Sequence, residues 1–256
     1  MKTWLLPIFL TPALFGQISI VNSGAFGAYQ INLGDAYSQN FDTLASTGTV
    51  HTFIQNTTLP GWHAGTSFYG INSSGTLGSY GNTSSSERAL GSGGGDTWAV
   101  CFVNTSDTTI TGFDLNYTGE QWRRDANDPQ IVDNLVFTFK VYPAGTGSYV
   151  GTGWTSVAAL GYSSPNHNDT SGVLLNGNLT ENQVAVNGTT LGVSLTPGQE
   201  IWLRWSVSDD LSRNDHALAI DDLIIRFVTI PEPAAFAALS GLCSLGLVAF
   251  RRRRRR

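Results

Sequence analysis

The sequence has only two cysteines, Cys101 and Cys243, and the second lies in an apolar run near the C-terminus. No intrachain disulfide can therefore form within the central part of the chain. Cys101 stands in the apolar run Trp98 to Val103. We expect its side chain to be a small buried hydrophobic group.

Basic residues are scarce away from the two ends. Seven of the 14 lysines and arginines are Lys2 and the terminal run Arg251 to Arg256, whereas Glu232 is the only one of 19 acidic residues outside residues 17–229. This central region therefore carries seven basic and 18 acidic residues, a formal net charge of −11. Such an acidic region repels polyanions, which argues against nucleic acid as a partner.

Recognisable catalytic motifs are missing as well. The chain has no Gly-x-Ser-x-Gly, His-Glu-x-x-His or Glu-x-Asp-x-x-Glu pattern, and its four histidines show no metal-ligand spacing. Glu120 with Asp125 or Asp215 remains as an acid/base pair, but any acidic domain offers such pairs. We therefore predict that the protein is not an enzyme, and a glycan-active enzyme is the least favoured alternative.

No stretch of the central region keeps a helical apolar period over more than two turns, whereas alternation with period two is clear. One predicted strand has Leu135, Phe137, Phe139 and Val141 on one face, and another has Ile201, Leu203, Trp205 and Val207. Further predicted strands are Val50 to Gln55, Gly61 to Ala64, Trp98 to Asn104, Thr109 to Tyr117 and Ala217 to Val228.

Turn signals such as Pro60-Gly61, Asn187-Gly188 and Pro197-Gly198 separate these runs. The stretch Asn72 to Ser86 is rich in Gly, Ser, Thr and Asn, which predicts a long exposed loop. Many short strands over about 200 residues favour an all-β fold. We predict a two-sheet antiparallel β-sandwich of the jelly-roll or carbohydrate-binding-module type over residues 17–229.

The first 16 residues have Lys2, then the apolar run Trp4 to Phe15, then the small residue Gly16. This order is typical of a signal peptide, with cleavage after Gly16 favoured and Ala25 as the alternative.

Residues 230–256 combine three features in a fixed order. Pro231-Glu232-Pro233 stays extended because two prolines remove backbone donors. Ala234 to Phe250 is an uncharged run near the lower length limit for a transmembrane helix, and six arginines follow it. By the positive-inside rule the arginines stay cytoplasmic and the domain lies outside.

This tail resembles a PEP-CTERM sorting signal. The resemblance implies transient anchoring in the inner membrane, recognition by an exosortase with cleavage near Pro231, Glu232 and Pro233, and delivery to the surface or extracellular matrix of a Gram-negative bacterium. It implies nothing about what the preceding domain does.

Acidic residues near the two ends of the central region suggest a metal site. Phe41-Asp42 before Trp62, and Ile220-Asp221-Asp222 in the last strand, resemble jelly-roll carbohydrate-binding and MAM-like modules. In several of these, acidic residues of the first and last strands bind a structural Ca²⁺, so the resemblance implies Asp42, Asp221 and Asp222 as calcium ligands. The alternative is an aspartate satisfied by Arg226, Arg204 or backbone N–H groups.

A second set comprises Gly119-Glu120-Gln121-Trp122-Arg123 and, later, Trp202-Leu203-Arg204-Trp205. Together with the Ile-Asp-Asp strand it resembles an uncharacterised domain of secreted and PEP-CTERM bacterial proteins, which brings no assigned activity. Glu120, Trp122, Arg123 and Trp202 can line a ligand groove, or the charges can pair inside the sandwich. We favour pairing because Arg204, within an apolar strand, is expected to need a carboxylate there.

Aromatic residues give the remaining indication of function, because exposed rings on a sandwich face stack on sugars. The candidates are Trp62, Tyr69, Trp98, Trp122, Trp154, Trp202 and Trp205. An exposed coplanar pair would favour a surface module that binds extracellular polysaccharide. Burial of them all would favour a structural matrix or spacer protein.

Overall fold

A computed structural model describes residues 17–22, 30–73, 75–83, 85–125, 132–167, 171–207 and 215–229. The predicted signal peptide (1–16) and the predicted sorting segment (230–256), with its Pro-Glu-Pro motif, lie outside these residues. Among the described residues, no helix has both the length and the apolar character needed to cross a membrane.

Seventeen strands make up the described regular structure, together with two short 3₁₀ turns at Ala158–Leu160 and Thr180–Asn182. In chain order the strands are β1 (Ile18–Val21), β2 (Gln30–Asn32), β3 (Ala36–Gln39), β4 (Val50–Thr52), β5 (Trp62–Ala64), β6 (Phe68–Ile71), β7 (Leu77–Tyr80), β8 (Ala89–Ser92), β9 (Thr97–Asn104), β10 (Ile110–Arg124), β11 (Asn134–Tyr142), β12 (Thr155–Ser156), β13 (Tyr162–Ser163), β14 (Val173–Leu174), β15 (Gln183–Leu195), β16 (Glu200–Val207) and β17 (Ala217–Val228).

The strands form two sheets that pack face to face as a β-sandwich, which confirms the predicted fold class. Sheet A has the order β12-β11-β16-β9-β1-β2, with β13 beside β11 and β5 beside β9. Sheet B has the order β14-β10-β17-β8-β7-β6-β4, with β15 beside β10 and β3 beside β17. Pairing is mostly antiparallel, but β1 runs parallel to both β2 and β9, and β6 runs parallel to β7.

Aromatic side chains from both sheets fill the space between them. Trp62 stacks on Trp205 with ring centroids 5.6 Å apart, and Phe41 meets Trp62 edge-on at 5.1 Å. Across the sandwich, Tyr117 of sheet B contacts Trp205 of sheet A at 6.2 Å. These rings are buried, as are the inward residues Ile201, Leu203 and Val207. The period-two alternation therefore predicted the core faces of β11 and β16 correctly.

Cys101 is fully buried and free, as predicted. Burial and the neighbouring Glu200 carboxylate raise the pKa of its thiol well above the usual value. The thiol therefore stays protonated and packs as an apolar group.

Two predictions from glycine-rich stretches are wrong. Within the stretch predicted as an exposed loop, β7 is a fully buried strand, because its small residues permit close packing: a Cβ on Gly78 would lie 2.6 Å from the Tyr80 ring. The predicted turn at Asn187-Gly188 lies inside the 13-residue strand β15, where Gly188 pairs with Leu115. Gly188 faces the Leu160 side chain there, so its small size serves packing rather than a turn.

Candidate functional site

The outer face of sheet B holds the middle of the Gly-Glu-Gln-Trp-Arg motif. Along β10, Leu115 and Tyr117 point into the core, so the alternation directs Glu120 and Trp122 to the opposite face. Trp122 is nevertheless buried, because Tyr80 stacks on it at 6.5 Å and Gly177 packs against its ring. A small second apolar cluster, with Ala89, Ala217 and Ala219, therefore lies outside the main core.

Three carboxylates meet on this face. Glu87, Glu120 and Asp221 each offer one oxygen, and these atoms all lie within 4.8 Å of one another. We call these three residues the acidic cluster. Pairing of β10 with β17 explains part of it: Glu120 lies opposite Ala219 and Thr118 opposite Asp221, so Glu120 and Asp221 are diagonal neighbours on one face. Glu87 comes from the segment that leads into β8, on the other side of β17.

Neutral donors hold two of these carboxylates. Trp122 Nε1 donates to Glu120 Oε2 at 2.8 Å, and Gln183 Nε2 donates to Glu120 Oε1 at 3.2 Å. Asn178 Nδ2 donates to Glu87 Oε2. In contrast, Glu87 Oε1 and Asp221 Oδ1 are buried, and within the described part of the chain no N–H or hydroxyl group donates to either oxygen, although the two carboxyl groups lie within hydrogen-bond reach of each other.

The electrostatics of the cluster follow from burial and like charge. Burial raises the pKa of Glu120 to about 7, partly offset by the Trp122 hydrogen bond. Burial also raises the pKa of Asp221 well above its usual value, with further contributions from the charges of Glu120 and Asp222 and from a hydrogen bond with Glu87. Three buried carboxylates this close cannot all stay ionised without a compensating charge. The site therefore takes up either protons or a cation.

In the part of the chain that the structure describes, Arg123 forms its ion pair away from this cluster. Its Nη2 forms an ion pair with Asp125 Oδ2 at 2.5 Å and donates to the carbonyl of Asp215 at 3.1 Å. The guanidinium therefore ties β10 to the segment before β17. Beside it lies a pocket of about 140 Å³ that Asn72, Asn82 and Leu174 help to line.

The three predicted calcium ligands do not form one group in the described structure. Asp221 is buried, with 6% of its surface exposed, whereas Asp222 is exposed at a left-handed position with φ of 49°. Asp42 is exposed, and its Oδ1 accepts the Arg88 backbone N–H at 2.9 Å while its Oδ2 accepts from Asn40 Nδ2 at 2.7 Å. Strand β3, which ends just before Asp42, pairs with β17, so all three aspartates lie on or next to neighbouring strands.

Trp202, the fourth predicted ligand-binding residue, lies on the other sheet. It is on the outer face of sheet A, whereas Glu120 and Trp122 are on the outer face of sheet B and Arg123 belongs to the same strand of sheet B. The proposed four-residue groove therefore does not exist as one surface.

Trp202 belongs to a group of rings that we call the outer aromatic cluster: His63, Tyr142, Tyr149, Trp154 and Trp202. His63 lies 4.6 Å and Tyr149 6.5 Å from Trp202, and Tyr142 meets Trp154 edge-on at 6.5 Å. Trp202 is buried, whereas the other four rings are half-buried.

The loop of residues 143–154 holds this cluster in place. The backbone N–H of Gly147 donates to Glu200 Oε1, and Gly147 packs directly on Trp202, where a Cβ would overlap the indole. Gln17 Nε2 donates to the other Glu200 oxygen at 2.7 Å. Burial lowers the pKa of His63 to about 4, so the imidazole is neutral near neutral pH.

Arg204 does not find the expected carboxylate among the described residues. Its guanidinium lies over the Trp154 ring at 3.9 Å, Nε donates to Thr138 Oγ1 at 3.1 Å, and Nη1 donates to the Tyr149 carbonyl at 3.3 Å. The residue is half-buried rather than enclosed, which is why a ring face, a hydroxyl and a carbonyl are sufficient.

Of the seven aromatic residues that the sequence suggested as candidates for stacking on sugar rings, six are buried and Trp154 is half-buried. Sequence reasoning missed Glu87, Tyr142 and Tyr149. The alternation in β11 places Tyr142 opposite the face of Val141, which would have indicated an outward ring. Nothing local indicated Glu87.

No protein-family model and no curated protein matches the chain. Among solved structures it is similar to the CBM22-1 xylan-binding domain of Paenibacillus barcinonensis Xyn10C, at 14% identity over 78% of this chain and 98% of that one, with a TM-score of 0.37. It is also similar to TmCBM61 in complex with β-1,4-galactotriose, at 10% identity over 57% of this chain and 75% of that one, with a TM-score of 0.29. A third similar structure is the K3 cleaved adhesin domain of Lys-gingipain from Porphyromonas gingivalis. The identity is 14% over 54% of this chain and 73% of that one, with a TM-score of 0.29.

Proposed function

We propose that the β-sandwich is a non-catalytic module that binds extracellular polysaccharide on the outer face of sheet A. The observation that carries this proposal is the outer aromatic cluster, which groups half-buried rings outside the main core. Sugar rings present apolar C–H faces that stack on aromatic side chains, and polar groups at the ring edges supply orientation.

Polar groups stand beside these rings. Lys140 lies over the Tyr142 ring at 4.6 Å and donates to the Thr152 carbonyl, while Arg204 covers one face of Trp154. Their side chains are half-buried, so their remaining N–H groups can reach hydroxyl groups of a bound chain. Rings and donors on the outer face of a sheet suit an extended polysaccharide better than a small enclosed ligand.

We further propose that the protein is exported and sorted to the cell surface or extracellular matrix by an exosortase. The support is the sequence of the two ends: the signal-peptide pattern of residues 1–16 and the Pro-Glu-Pro, apolar run and arginine cluster of residues 230–256. A domain delivered there meets exopolysaccharide, so the two proposals are consistent with each other.

Binding can be tested with a glycan array and then by titration of the polysaccharide that binds. Trp154→Ala is expected to weaken affinity by about 2- to 10-fold, the equivalent of one lost ring contact of roughly 0.5–1.5 kcal/mol. The matched control is Phe68→Ala, because Phe68 is 55% exposed but lies on β6 of sheet B. Equal weakening by both variants would reject the outer face of sheet A as the binding surface.

The second candidate is a structural matrix or spacer protein without a ligand. The observation that favours it is the burial of six of the seven candidate aromatic residues. Absence of binding to every glycan on the array, by a protein whose melting curve shows that it is folded, would support this candidate and reject the first.

A further inference from the structure

We propose that Glu87, Glu120 and Asp221 form a binding site for one calcium ion on the outer face of sheet B. Their oxygens lie within 4.8 Å of one another. Oxygens on opposite sides of a bound Ca²⁺ are about 4.6–5.2 Å apart, because each Ca–O distance is about 2.3–2.6 Å. The three carboxylates can therefore bind one ion in the positions that they already occupy.

A cluster of acidic side chains alone would not indicate a ligand, but the hydrogen bonding here does. Asp221 is only 6% exposed, and no N–H or hydroxyl group of the described residues donates to its Oδ1. Glu87 Oε1 is likewise buried and accepts no hydrogen bond from those groups. Buried polar atoms are almost always satisfied, and an unpaired carboxylate oxygen is among the costliest exceptions. Glu87 and Asp221 can satisfy each other only by sharing a proton, whereas a cation between them satisfies both carboxylates together with Glu120.

The charge of Arg88 acts on Glu87 through space, but the hydrogen bonds shown for the two nearby arginines go to other groups. Arg88 directs its Nε to Ser79 Oγ at 2.8 Å and its Nη2 to the Ser79 carbonyl. Arg123 pairs with Asp125. The donors that do reach the cluster, from Trp122, Gln183 and Asn178, are neutral and each leaves a lone pair on the accepting oxygen. They orient the carboxylates without neutralising them, as the outer partners of metal ligands do.

The chemistry favours calcium over magnesium. All three ligands are carboxylate oxygens, which suit hard cations. Mg²⁺ requires oxygens at about 2.0–2.1 Å in a near-ideal octahedron and retains several waters, whereas Ca²⁺ accepts an irregular shell with bidentate carboxylates. This site differs from the grouping of Asp42, Asp221 and Asp222 that the sequence suggested, and it is independent of polysaccharide binding on sheet A.

The test is thermal unfolding of the EDTA-treated full-length protein, with CaCl₂ or MgCl₂ added in separate titrations. Ca²⁺ at a hundredfold excess over Kd is expected to raise the melting temperature by roughly 5–10 °C, and Mg²⁺ by less. Equilibrium dialysis of the wild-type protein is expected to give one Ca²⁺ per chain. No calcium response together with no bound calcium would overturn the proposal and leave shared protons as the means of neutralising the cluster.

Variants then assign the ligands. Glu120→Gln and Asp221→Asn keep the side-chain shape, remove one charge, and are expected to abolish the calcium response while the metal-free protein remains folded. The matched controls are Asp42→Asn and Asp222→Asn, which remove charge from exposed neighbours and are expected to retain the response. A response lost in the two controls and retained in Glu120→Gln would refute the cluster as the site. Should a cluster variant not fold, Glu87→Gln provides the same test from a loop position.

Discussion

Removing the hydroxyl of Tyr162 is expected to cost more stability than its loss of one oxygen atom suggests. Tyr162 belongs to β13 of sheet A, but its ring crosses the core and its hydroxyl enters the β10–β17 ladder of sheet B. There it accepts the Ala219 N–H at 3.0 Å and donates to one of two carbonyls, Glu120 at 2.9 Å or Ala219 at 2.8 Å. Burial raises the pKa of this phenol well above its usual value, so it remains a donor at all ordinary pH.

Tyr162→Phe keeps the ring and leaves no large cavity. It does leave the Ala219 N–H and a carbonyl oxygen buried without a partner, since the hydroxyl sits where the two strands would otherwise bond to each other. Each buried unsatisfied group costs about 1–3 kcal/mol, so the free energy of unfolding is expected to fall by about 2–4 kcal/mol. For a domain of this size the melting temperature would fall by roughly 5–15 °C.

The matched control is Tyr117→Phe in the same core. The Tyr117 hydroxyl donates to the Leu160 carbonyl at 2.7 Å and lies beside the Trp205 indole N–H, but no backbone N–H of the described residues donates to it. Its removal is therefore expected to cost less, about 1–2 kcal/mol. Both variants are measured by urea unfolding followed by tryptophan fluorescence, with an unchanged m-value as the criterion for comparison. If the two variants lose the same free energy, the Tyr162 hydroxyl does not hold the two sheets together as described here.

Three further predictions concern other parts of the chain. Replacing Pro231-Glu232-Pro233 by three alanines is expected to leave an uncleaved, membrane-retained protein with a normally folded domain, and equal release of variant and wild type in cell fractionation would remove the exosortase assignment. Because the folded pKa of His63, about 4, lies below its unfolded value of about 6.5, its neutral form contributes stability above pH 6.5 that is lost as the pH falls toward 4. His63→Phe is expected to lose less free energy of unfolding on acidification than the wild type, by about 1–2 kcal/mol after allowance for partial exposure. Urea unfolding at a series of pH values measures this difference. An equally large difference for the control His51→Phe would contradict the assignment to His63. Gly119→Ala would place a Cβ 2.6 Å from the Tyr162 ring and is expected to lower the free energy of unfolding by about 1–3 kcal/mol. The control Gly75→Ala, whose Cβ would have no atom within 4 Å, is expected to leave it almost unchanged. Similar losses in both variants in urea unfolding would argue against close packing at Gly119.

The amino-acid sequence by itself determined the class of fold and much of its core. Period-two alternation is a local property of a strand, so Leu203, Trp205 and Val207 could be assigned to the buried face of β16 without knowing their neighbours. The burial of Cys101 follows from the same kind of local reasoning, because it stands within an apolar run. Where small residues replaced large ones, as in β7 and around Gly188, this signal disappeared and the prediction failed.

Only the tertiary structure decided which residues meet. The register between β10 and β17 places Glu120 diagonal to Asp221, and a one-residue shift would have sent one of them to the core. The order of strands in the sheets brings Glu87 to that pair and separates Trp202 from Trp122, since one belongs to sheet A and the other to sheet B. Register and strand order depend on contacts between segments far apart in the chain, and a single sequence records no trace of these contacts in its local pattern.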